Sequence, residues 1–579
     1  MIGDDLHDQV TRWMADDPDD RDRAELASLL AAATGPDADG SAARAASELA
    51  DRFAGRLEFG TAGLRGAIAA GPNRMNRAVV RGTTAALAGW LLYVDPEAAQ
   101  TGVVIGCDAR HRSQEFAREA ASVLAGAGIT VHMLPFRQPT PLLAFAVRYL
   151  DAAAGIMITA SHNPPADNGY KLYLGDGAQI VPPADLEIEA ATRSLRRLSE
   201  VAVAPQDSPL IISHDDRIAA AYLDAICAVS RAPKGSAWLR FIYTPLHGVA
   251  GDLALRAFEQ AGFPPPDMVE AQARPDPDFR TLAFPNPEEP GVLDLAIAQA
   301  RRSGADLVIA NDPDGDRLAV AVPDDDVPGG WRMLSGDQVG ALLGAYLLGQ
   351  DAAASGSASG APDEPRKSPL VVTTIVSATM LSRIAAAAGA QYAETLTGFK
   401  WIARAGDLRR GCRFLFGYEE AIGYCVGDIV RDKDGIGAAL AVLCLAARAR
   451  SGGESLHEAY DALEIAHGVH LTEQITVQAG TPVHVMSRLR AEPPAELAGQ
   501  PVTASDLTGG TADLPSADVL KYRLPGARVV VRPSGTEPKI KAYLEVVEPV
   551  IGGRLHQARR AARARMDPLS AAVRELLEV

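Results

Sequence analysis

Residues 159–171 read Thr-Ala-Ser-His-Asn-Pro-Pro-Ala-Asp-Asn-Gly-Tyr-Lys, and this stretch decides how the chain around it folds. The small apolar residues 153–158 come directly before it and predict a buried strand. The Asn-Pro-Pro run then forces a stiff, extended turn that does not continue into a helix. A serine hydroxyl on a rigid turn at a strand end, here Ser161, is positioned as a nucleophile. Taken alone, the stretch also fits an ordinary loop of turn-forming residues.

The residues before this stretch alternate between helical and strand-like patterns. The candidates are a helix at 77–94, a strand at 101–106, a helix at 114–126, a strand at 129–133 and a helix at 141–149. Such alternation predicts a mainly parallel sheet covered by helices on both faces. Ligands of such sheets bind beyond the carboxyl ends of the strands, which is where Ser161 stands.

A second strand-to-loop junction carries a cluster of carboxylates. The apolar strand 306–310 leads into Asn-Asp-Pro-Asp-Gly-Asp-Arg at 311–317, so Asp312, Asp314 and Asp316 alternate on one tight loop. Their mutual repulsion disfavours folding unless a cation neutralises it, and hard oxygen ligands favour Mg²⁺. An EF-hand is excluded because its glycine would be sixth and its glutamate twelfth, whereas here the glycine is fourth and residue 323 is proline. A solvated acidic turn is the alternative.

A third group of loops suits a sugar. Residues 397–401, Thr-Gly-Phe-Lys-Trp, form a glycine turn with a lysine and two aromatic side chains, and strand 413–416 leads into Gly-Tyr-Glu-Glu-Ala-Ile-Gly-Tyr at 417–424. Such glutamates and aromatics hydrogen-bond and stack on sugars, although each is also common on an ordinary surface. The junctions 156–161, 307–312 and 413–419 share one design, so we expect three α/β units to bring their loops to one cleft.

The last segment contains a candidate phosphate site. Strand-like runs 527–531 and 539–547 flank Arg-Pro-Ser-Gly-Thr-Glu-Pro at 532–538. Successive backbone N–H groups through Ser-Gly-Thr can form an anion-binding nest, and Arg532 adds a planar guanidinium fork that matches phosphate. Lys539 and Lys541 alternate with apolar residues and so lie on one strand face. A charged hairpin without a ligand is the alternative.

Composition bounds the rest of the molecule. A chain of 579 residues is too long for one core and predicts about four domains of ~150 residues. The net charge of −17 argues against a nucleic-acid or membrane partner. The five cysteines show no metal or disulfide spacing, and no run reaches the ~20 apolar residues of a membrane span, so we expect a cytoplasmic protein. The spacing of residues 1–55 predicts helices, and the Ala-, Ser-, Gly- and Pro-rich residues 351–369 predict a mobile surface loop.

Together these motifs resemble those of the α-D-phosphohexomutases, the phosphoglucomutase/phosphomannomutase superfamily. The resemblance runs from Glu58 to Tyr543 and rests on motifs 159–171, 312–317, 417–423 and 532–538, which follow the family's order. Residues 397–401 and 417–424 look most like the long branch that includes phosphopentomutases and glucose-1,6-bisphosphate synthases. The resemblance implies a heart-shaped α/β fold of four domains: three α/β domains with mixed sheets and a smaller C-terminal α+β domain. We expect their boundaries at 1–205, 206–326, 327–468 and 469–579.

The resemblance also implies a role for each site residue. Ser161 would carry a phosphoryl group, and Mg²⁺ would be held by Asp312, Asp314, Asp316 and an oxygen on Ser161. Arg65, Lys171 and His162 would complete the catalytic set, the first two by stabilising charge or moving protons. The substrate-binding residues would be Arg317, Thr397, Gly398, Lys400, Glu419 and Lys433. The residues that grip the non-reacting phosphate would be Arg532, Ser534, Gly535, Thr536 and Lys541.

The implied reaction is that of a phosphosugar mutase, an intramolecular phosphotransferase. A phosphoryl group would move between C1 and the terminal carbon of an aldose phosphate, with glucose 1-phosphate to glucose 6-phosphate first, through a phosphoserine and a bisphosphate. A sugar 1,6-bisphosphate, or a pentose 1,5-bisphosphate, would be the activator. The chain departs from many phosphoglucomutases at Ala421, where they have serine. A pentose phosphate is therefore the first alternative, followed by mannose phosphate or sugar-bisphosphate synthesis, in a monomer or weak dimer.

Two other classes remain open from the sequence. A serine hydrolase is disfavoured because Ser161 lies in no Gly-x-Ser-x-Gly elbow and because adjacent side chains, here that of His162, usually diverge. A non-catalytic sugar-phosphate-binding protein has no need of both Ser161 and the three aspartates. A phosphoryl group on the Ser161 peptide distinguishes the mutase from both.

Overall fold

The structure is a computed structural model, and it describes residues 3–36, 40–59, 63–195, 197–233, 236–357, 367–478, 482–534 and 539–578. The chain begins with three helices, as the spacing of residues 1–55 predicts: α1 (Asp4–Asp16), α2 (Asp20–Thr34) and α3 (Ser41–Arg52). Their apolar stripes meet in a small core that includes Val10, Leu26 and Leu49. These helices therefore form a packed unit on the first α/β domain.

The first sheet holds the serine loop. Its strands are β1 (Leu64–Ala67), β2 (Val103–Cys107), β3 (Val131–Met133), β4 (Ala154–Ile158), β5 (Asp167–Leu174) and β6 (Ile211–Ser213). Its helices are α4 (Arg77–Val94), α5 (Ala98–Thr101), α6 (Ser113–Gly126), α7 (Thr140–Tyr149) and α8 (Ala184–Ser194). Strands β2, β3, β4 and β6 run parallel, while β5 pairs antiparallel with β4 and β1. Ser161 lies on the turn between β4 and β5.

The second sheet holds the aspartate loop. Its elements are α9 (Arg217–Val229), β7 (Phe241–Thr244), α10 (Gly251–Ala261), β8 (Asp267–Met268), α11 (Asp294–Ser303), β9 (Leu307–Asn311), β10 (Leu318–Pro323) and β11 (Trp331–Leu334). The strand order is β11-β10-β9-β7-β8, and the three aspartates lie between β9 and β10. Sheet pairing carries the first sheet to Ser213 and the second to Leu334, past the boundaries expected at 205 and 326.

The third sheet carries the predicted sugar loops. Its elements are α12 (Gly336–Ser357), β12 (Ser368–Thr374), α13 (Met380–Ala387), β13 (Gln391–Thr395), α14 (Phe399–Arg404), β14 (Cys412–Glu419), β15 (Gly423–Val426), α15 (Gly435–Ser451) and α16 (Leu456–His467). The prediction of a loop over 351–369 is partly wrong, because α12 continues to Ser357 and β12 begins at Ser368. Three alanines follow Asp351, and alanine has the highest helix propensity. Residues 358–366 lie outside the described chain.

The C-terminal domain is smaller and antiparallel. Its elements are β16 (Val469–Gln478), α17 (Pro482–Ala491), β17 (Glu496–Leu497), β18 (Gln500–Pro501), β19 (Thr503–Asp506), β20 (Leu520–Leu524), β21 (Ala527–Pro533), β22 (Lys539–Glu548) and α18 (Leu555–Leu577). Five of its strands form one sheet in the order β16-β22-β21-β20-β19. The predicted fold of three α/β units with mixed sheets and a smaller α+β domain is confirmed.

Packing between the domains fixes their loops relative to one another. Leu143, Phe258 and Leu440, from the first, second and third units, belong to one continuous buried core.

Among the helices that the structure describes, none alone is long and apolar enough to cross a membrane. Only α15 and α16 taken together reach that length and apolar content, and they are bent by 88° with respect to each other.

Candidate active site

A cavity of about 390 Å³ lies where all four units meet. Its lining includes the predicted residues Arg65, Ser161, Lys171, Asp316, Arg317, Thr397, Gly398, Lys400, Glu419, Lys433 and Arg532. The loops that the sequence placed at the carboxyl ends of three separate strands therefore do converge, as expected for parallel strands. The fold therefore brings Arg65 and Pro533, which are 468 positions apart in sequence, to the same cavity.

Ser161 lies at the base of this cavity in a conformation that few residues other than glycine adopt. Its φ is +52°, its backbone N–H donates to Thr159 Oγ1 at 2.9 Å, and the residue is 2% exposed. Its hydroxyl donates to Asp312 Oδ2 at 2.8 Å and lies 3.2 Å from His162 Nδ1. Backbone in the left-handed region is costly and persists where the surroundings hold it. The turn thus presents the serine oxygen directly to the aspartate loop.

The expectation that the side chains of Ser161 and His162 diverge is wrong. The positive φ of Ser161 rotates the backbone so that the two neighbours meet. The pair still does not form a hydrolase triad, because Asp312 lies 4.0 Å from the same Nδ1 atom that faces the serine. A triad divides the two ring nitrogens between nucleophile and carboxylate. Burial, together with the nearby charges of Arg317 and Arg65, lowers the pKa of His162 well below its ordinary value.

The three aspartates form a buried carboxylate cluster. Oxygen atoms of Asp312, Asp314 and Asp316 lie within 4.8 Å of one another, and each residue is at most 1% exposed. Burial and the neighbouring carboxylates raise the pKa of Asp312 well above its ordinary value. Oδ1 of Asp314 and Oδ1 of Asp316 are buried and have no hydrogen-bond partner in the described part of the chain. Hard oxygen atoms in this state fit a divalent cation such as Mg²⁺.

Lys171 supplies the protein's own positive charge to this cluster. Its Nζ donates to Asp314 Oδ2 at 2.6 Å and to Asp316 Oδ2 at 2.9 Å. Burial alone would lower the pKa of Lys171, but the two carboxylates outweigh burial and raise it above its ordinary value. Thr140 Oγ1 also donates to Asp314 Oδ2, at 2.6 Å, so the first unit holds the aspartate loop of the second.

The predicted sugar-binding residues line the same cavity. Glu419 ends β14, and burial raises its pKa although Lys433 and Arg317 oppose that shift. Lys433 Nζ lies 3.4 Å from Asp316 Oδ2, which connects these residues to the carboxylates. Lys400 lies with its Nζ 5.8 Å from the centre of the Trp401 ring, and burial lowers its pKa. Thr397 and Gly398 line the cavity just before α14.

Of the predicted phosphate-binding residues, the structure describes Arg532, Ser534 and Lys541. Arg532 lines the cavity and pairs in register with Lys541 across β21 and β22, so their side chains share one sheet face. The backbone N–H of Ser534 donates to the carbonyl of Lys539 at 2.8 Å. Gly535 and Thr536 lie outside the described residues. The guanidinium of Arg532 therefore approaches the cavity from the fourth domain.

The four domains of one known family match this chain in the same order. Family models of the phosphoglucomutase/phosphomannomutase family match residues 56–199 as α/β/α domain I, 220–326 as domain II, 335–465 as domain III and 487–562 as the C-terminal domain. The chain belongs to this family. It is an enzyme of the phosphosugar mutase class, and its relatives are likewise named as mutases.

Relatives of this mutase carry different substrate names. It is 40% identical to a "probable phosphomannomutase" of Haemophilus influenzae, over 81% of this chain and 93% of the relative. It is 36% identical to a "probable phosphoribomutase" of Schizosaccharomyces pombe, over 93% of each chain. The fold also matches the crystal structure of a phosphoglucomutase/phosphomannomutase family protein from Burkholderia thailandensis, with a TM-score of 0.65, 20% identity, and coverage of 89% of this chain and 98% of that one. The relatives' names thus share the mutase reaction and differ in the sugar phosphate.

Arg110, which no pattern in the sequence singles out, holds the serine loop of this mutase. Its guanidinium donates to four backbone carbonyls, those of Ser161, Asn163, Pro164 and Asp167, at 2.6 to 3.1 Å. It also stacks over the ring of Phe279 in the second unit, 5.0 Å from the ring centre. The only signal in the sequence is an arginine shortly after a strand end, which is too common to identify a clamp of this kind.

Replacing Arg110 with lysine is expected to lower kcat of the mutase by roughly 10- to 100-fold, because an ammonium cannot hold four carbonyls and the serine oxygen shifts. KM is expected to change little, since Arg110 does not line the cavity. Steady-state kinetics of the variant measures both. Arg118→Lys is the matched control, because Arg118 also stacks on an aromatic ring, that of Phe136, but lies away from the loop. Equal losses in the two variants would contradict the role of Arg110.

Proposed function

We propose that this enzyme moves a phosphoryl group between C1 and the terminal carbon of an aldose phosphate, with Ser161 as the residue that carries it. The observation behind this is the position of Ser161 Oγ, 2.8 Å from a carboxylate of the buried aspartate cluster and in the same cavity as Arg532. A nucleophile, a cation site and a distant phosphate clamp in one cavity are what such a transfer requires.

The proposed transfer has two halves that mirror each other. In the first, the bond between phosphorus and Ser161 Oγ breaks while a bond to the free sugar hydroxyl forms, which gives a bisphosphate. The hydroxyl proton leaves to a nitrogen of the site, for which His162 Nδ1 is the candidate, while Lys171 remains an ammonium that donates to Asp314 and Asp316. In the second half the other phosphoryl group bonds to Ser161 Oγ, its sugar oxygen takes back the proton, and the product departs.

The residues around the reacting oxygen would hold the charge of the transferring group. Mg²⁺ bound by Asp312, Asp314 and Asp316 would neutralise charge on the phosphoryl oxygens. Arg65 donates to Asn163 Oδ1 at 3.1 Å, but its Nε atom and that of Arg317 are buried and have no hydrogen-bond acceptor among the described residues. Both guanidinium groups line the cavity, so their free N–H groups would donate to phosphate oxygens of the substrate.

The non-reacting phosphate would bind Arg532, with Lys541 beside it. This clamp stands on the C-terminal domain, whereas Ser161 and the aspartates stand on the first and second units. The sugar has to present each of its two ends to Ser161 in turn. A single clamp opposite the serine serves both orientations, because a phosphate occupies that position in each half of the reaction.

Two observations favour a pentose phosphate over the glucose phosphate that the sequence put first. Ala421 offers no hydroxyl two residues after Glu419, and a pentose has one fewer hydroxyl to hold than a hexose. A relative named for ribose phosphate matches 93% of this chain at 36% identity, against 87% at 32% identity for a relative named for glucose phosphate. We therefore propose ribose or deoxyribose 1-phosphate as the preferred substrate, with glucose 1-phosphate second.

We also propose a cytoplasmic location. All five cysteines are free thiols, and four of them are buried. Unpaired cysteines are typical of proteins in reducing compartments.

The test compares kcat/KM for ribose 1-phosphate, glucose 1-phosphate and mannose 1-phosphate, each with Mg²⁺ and the matching bisphosphate. We expect ribose 1-phosphate to be the best substrate. Ala421→Ser is expected to raise the glucose-to-ribose ratio of kcat/KM by about tenfold, because a restored hydroxyl contact favours the sugar with the matching group. Ala421→Cys is the matched control, since a thiol has similar size but donates weakly. Conversion of none of the three sugars would contradict the proposed reaction, and an unchanged ratio would remove Ala421 from the account of specificity.

A further inference from the structure

A second cavity, larger than the first, lies between the N-terminal helices and the first α/β domain. Its volume is about 490 Å³, and its walls come from α1, the segment after α3, the start of α4 and the end of α8. The matched family domains begin at residue 56, so α1 and residues 53–55, just after α3, contribute walls from outside them. Cavities of this size hold small molecules of the dimensions of a nucleotide or a sugar phosphate.

Positive charge dominates this cavity. Arg12, Arg56 and Arg197 line it as exposed side chains, and in the described part of the chain none of the three has a carboxylate oxygen within 4.0 Å, although Arg197 is near enough to Asp16 to act on its charge. Asp16 is the only acidic residue in the lining, and its two oxygens accept from the backbone N–H groups of Leu198 and Ser199 at 2.6 and 3.0 Å. Two positive charges therefore remain uncompensated, in a chain whose net charge is −17. Such a local excess of positive charge attracts an anion that carries more than one negative charge.

The remaining wall is apolar and partly aromatic. Trp13 and Phe53 meet edge to face, with ring centres 6.4 Å apart, and Leu57, Leu195 and Leu198 line the cavity beside them. The indole N–H of Trp13 donates to Asp17 Oδ2 at 3.0 Å, which holds the ring in place. A fixed aromatic wall suits a flat ring better than the polar hydroxyls of a sugar.

We propose that this cavity is a regulatory site for a nucleoside phosphate, such as ADP. The base would lie against Trp13 and the leucines. The guanidinium groups of Arg56 and Arg197 would donate charge-assisted hydrogen bonds to the phosphate oxygens. A free sugar phosphate matches only the charged half of the cavity. Inorganic phosphate and adenosine each match one half, so each binds more weakly than the nucleotide.

The cavity is connected to the catalytic site through Leu57. The backbone N–H of Leu57 donates to the carbonyl of Pro72 at 3.0 Å, and its side chain packs so closely on β1 that a Cβ added to Gly66 would lie 3.0 Å from Leu57 Cδ2. Gly66 directly follows Arg65, whose side chain lines the catalytic cavity. A ligand that moves Leu57 therefore displaces the strand that positions Arg65, and changes the rate of phosphoryl transfer.

The test is calorimetric titration of the full-length enzyme with ADP, adenosine and inorganic phosphate. ADP is expected to bind at one site, and the variant Arg56→Ala/Arg197→Ala to bind it about tenfold or more weakly, because two charged hydrogen-bond donors are lost. Arg56→Lys/Arg197→Lys keeps the charge and is expected to lose less. Arg532→Ala reports on the catalytic cavity and is expected to bind ADP as the unaltered enzyme does.

The same variants measure regulation. Saturating ADP is expected to change kcat/KM of the unaltered enzyme and to leave that of Arg56→Ala/Arg197→Ala unchanged, while the basal rates of the two agree. Failure of ADP to bind, or binding that survives Arg56→Ala/Arg197→Ala, overturns the site. Loss of ADP binding in Arg532→Ala also overturns it, because the nucleotide would then occupy the catalytic cavity. Inorganic phosphate binding as tightly as ADP overturns the nucleoside assignment, and binding without any change in kcat/KM overturns the regulatory role.

Discussion

Ser161→Ala is expected to lower kcat by roughly 10⁴-fold or more, the scale seen when a covalent nucleophile is removed. Ser161 Oγ is the atom that the proposed reaction phosphorylates, and no other described hydroxyl takes its place. The nearest alternative on the loop, Thr159 Oγ1, already accepts the backbone N–H of Ser161 at 2.9 Å and belongs to a residue with no exposed surface. The loss is therefore expected in kcat, with sugar-phosphate binding retained because Arg532 and Glu419 are untouched.

Two measurements check this prediction. The first is turnover of a sugar 1-phosphate with its bisphosphate and Mg²⁺. The second is intact mass after incubation with the bisphosphate, where the unaltered enzyme is expected to gain one phosphoryl group on the Ser161 peptide and Ser161→Ala none. Ser505→Ala, an exposed serine on β19, is the control and is expected to behave as the unaltered enzyme. Appreciable turnover by a clean Ser161→Ala preparation would sink the assignment of the phosphoryl carrier.

The positions of the catalytic loops could be predicted from the sequence because each one depends on a local pattern. An apolar run that ends in polar residues marks a buried strand and its loop, and parallel strands bring such loops to one edge. The helix expected at 77–94 is α4, Arg77–Val94, because its start is marked by Asn76, whose side chain accepts the N–H of Val79 at 2.9 Å. Local signals of this kind require no knowledge of the rest of the fold.

Contacts between distant segments could not be predicted in the same way. Arg110 holds carbonyls more than fifty positions further along the chain, and nothing in its neighbourhood in sequence distinguishes it from a solvated arginine. The meeting of Ser161 and His162 depends on a positive φ at a serine, where the sequence has no glycine to announce it. The arginines of the second cavity, Arg12, Arg56 and Arg197, are separated by 44 to 185 positions and come together only when α1 docks on the first domain. These features follow from tertiary packing, which local patterns do not encode.

Lys171→Met is expected to lower the free energy of unfolding by about 3–5 kcal/mol in metal-free buffer, the cost of removing one partner from a buried ion pair. Lys171 is 2% exposed and is the cation closest to Asp314 and Asp316 among the described residues, so its loss leaves buried carboxylates facing one another. Saturating Mg²⁺ is expected to recover most of the loss, because the cation binds the folded cluster and not the unfolded chain. Urea unfolding with EDTA or with Mg²⁺ measures both quantities.

The quantity that decides this prediction is the gain in the free energy of unfolding on adding Mg²⁺, compared between variants, and not the stability of one variant. If the three aspartates form the cation site, the gain is larger in Lys171→Met than in the unaltered enzyme, because the ammonium and the cation neutralise the same carboxylates, those of Asp314 and Asp316. Lys521→Met is the matched control: Lys521 also pairs with a carboxylate, that of Glu394 at 3.3 Å, but far from the cluster, so its gain from Mg²⁺ is expected to equal that of the unaltered enzyme. Equal gains in all three proteins would mean that the cation binds elsewhere, and Lys171 would then be a structural partner of the aspartates alone.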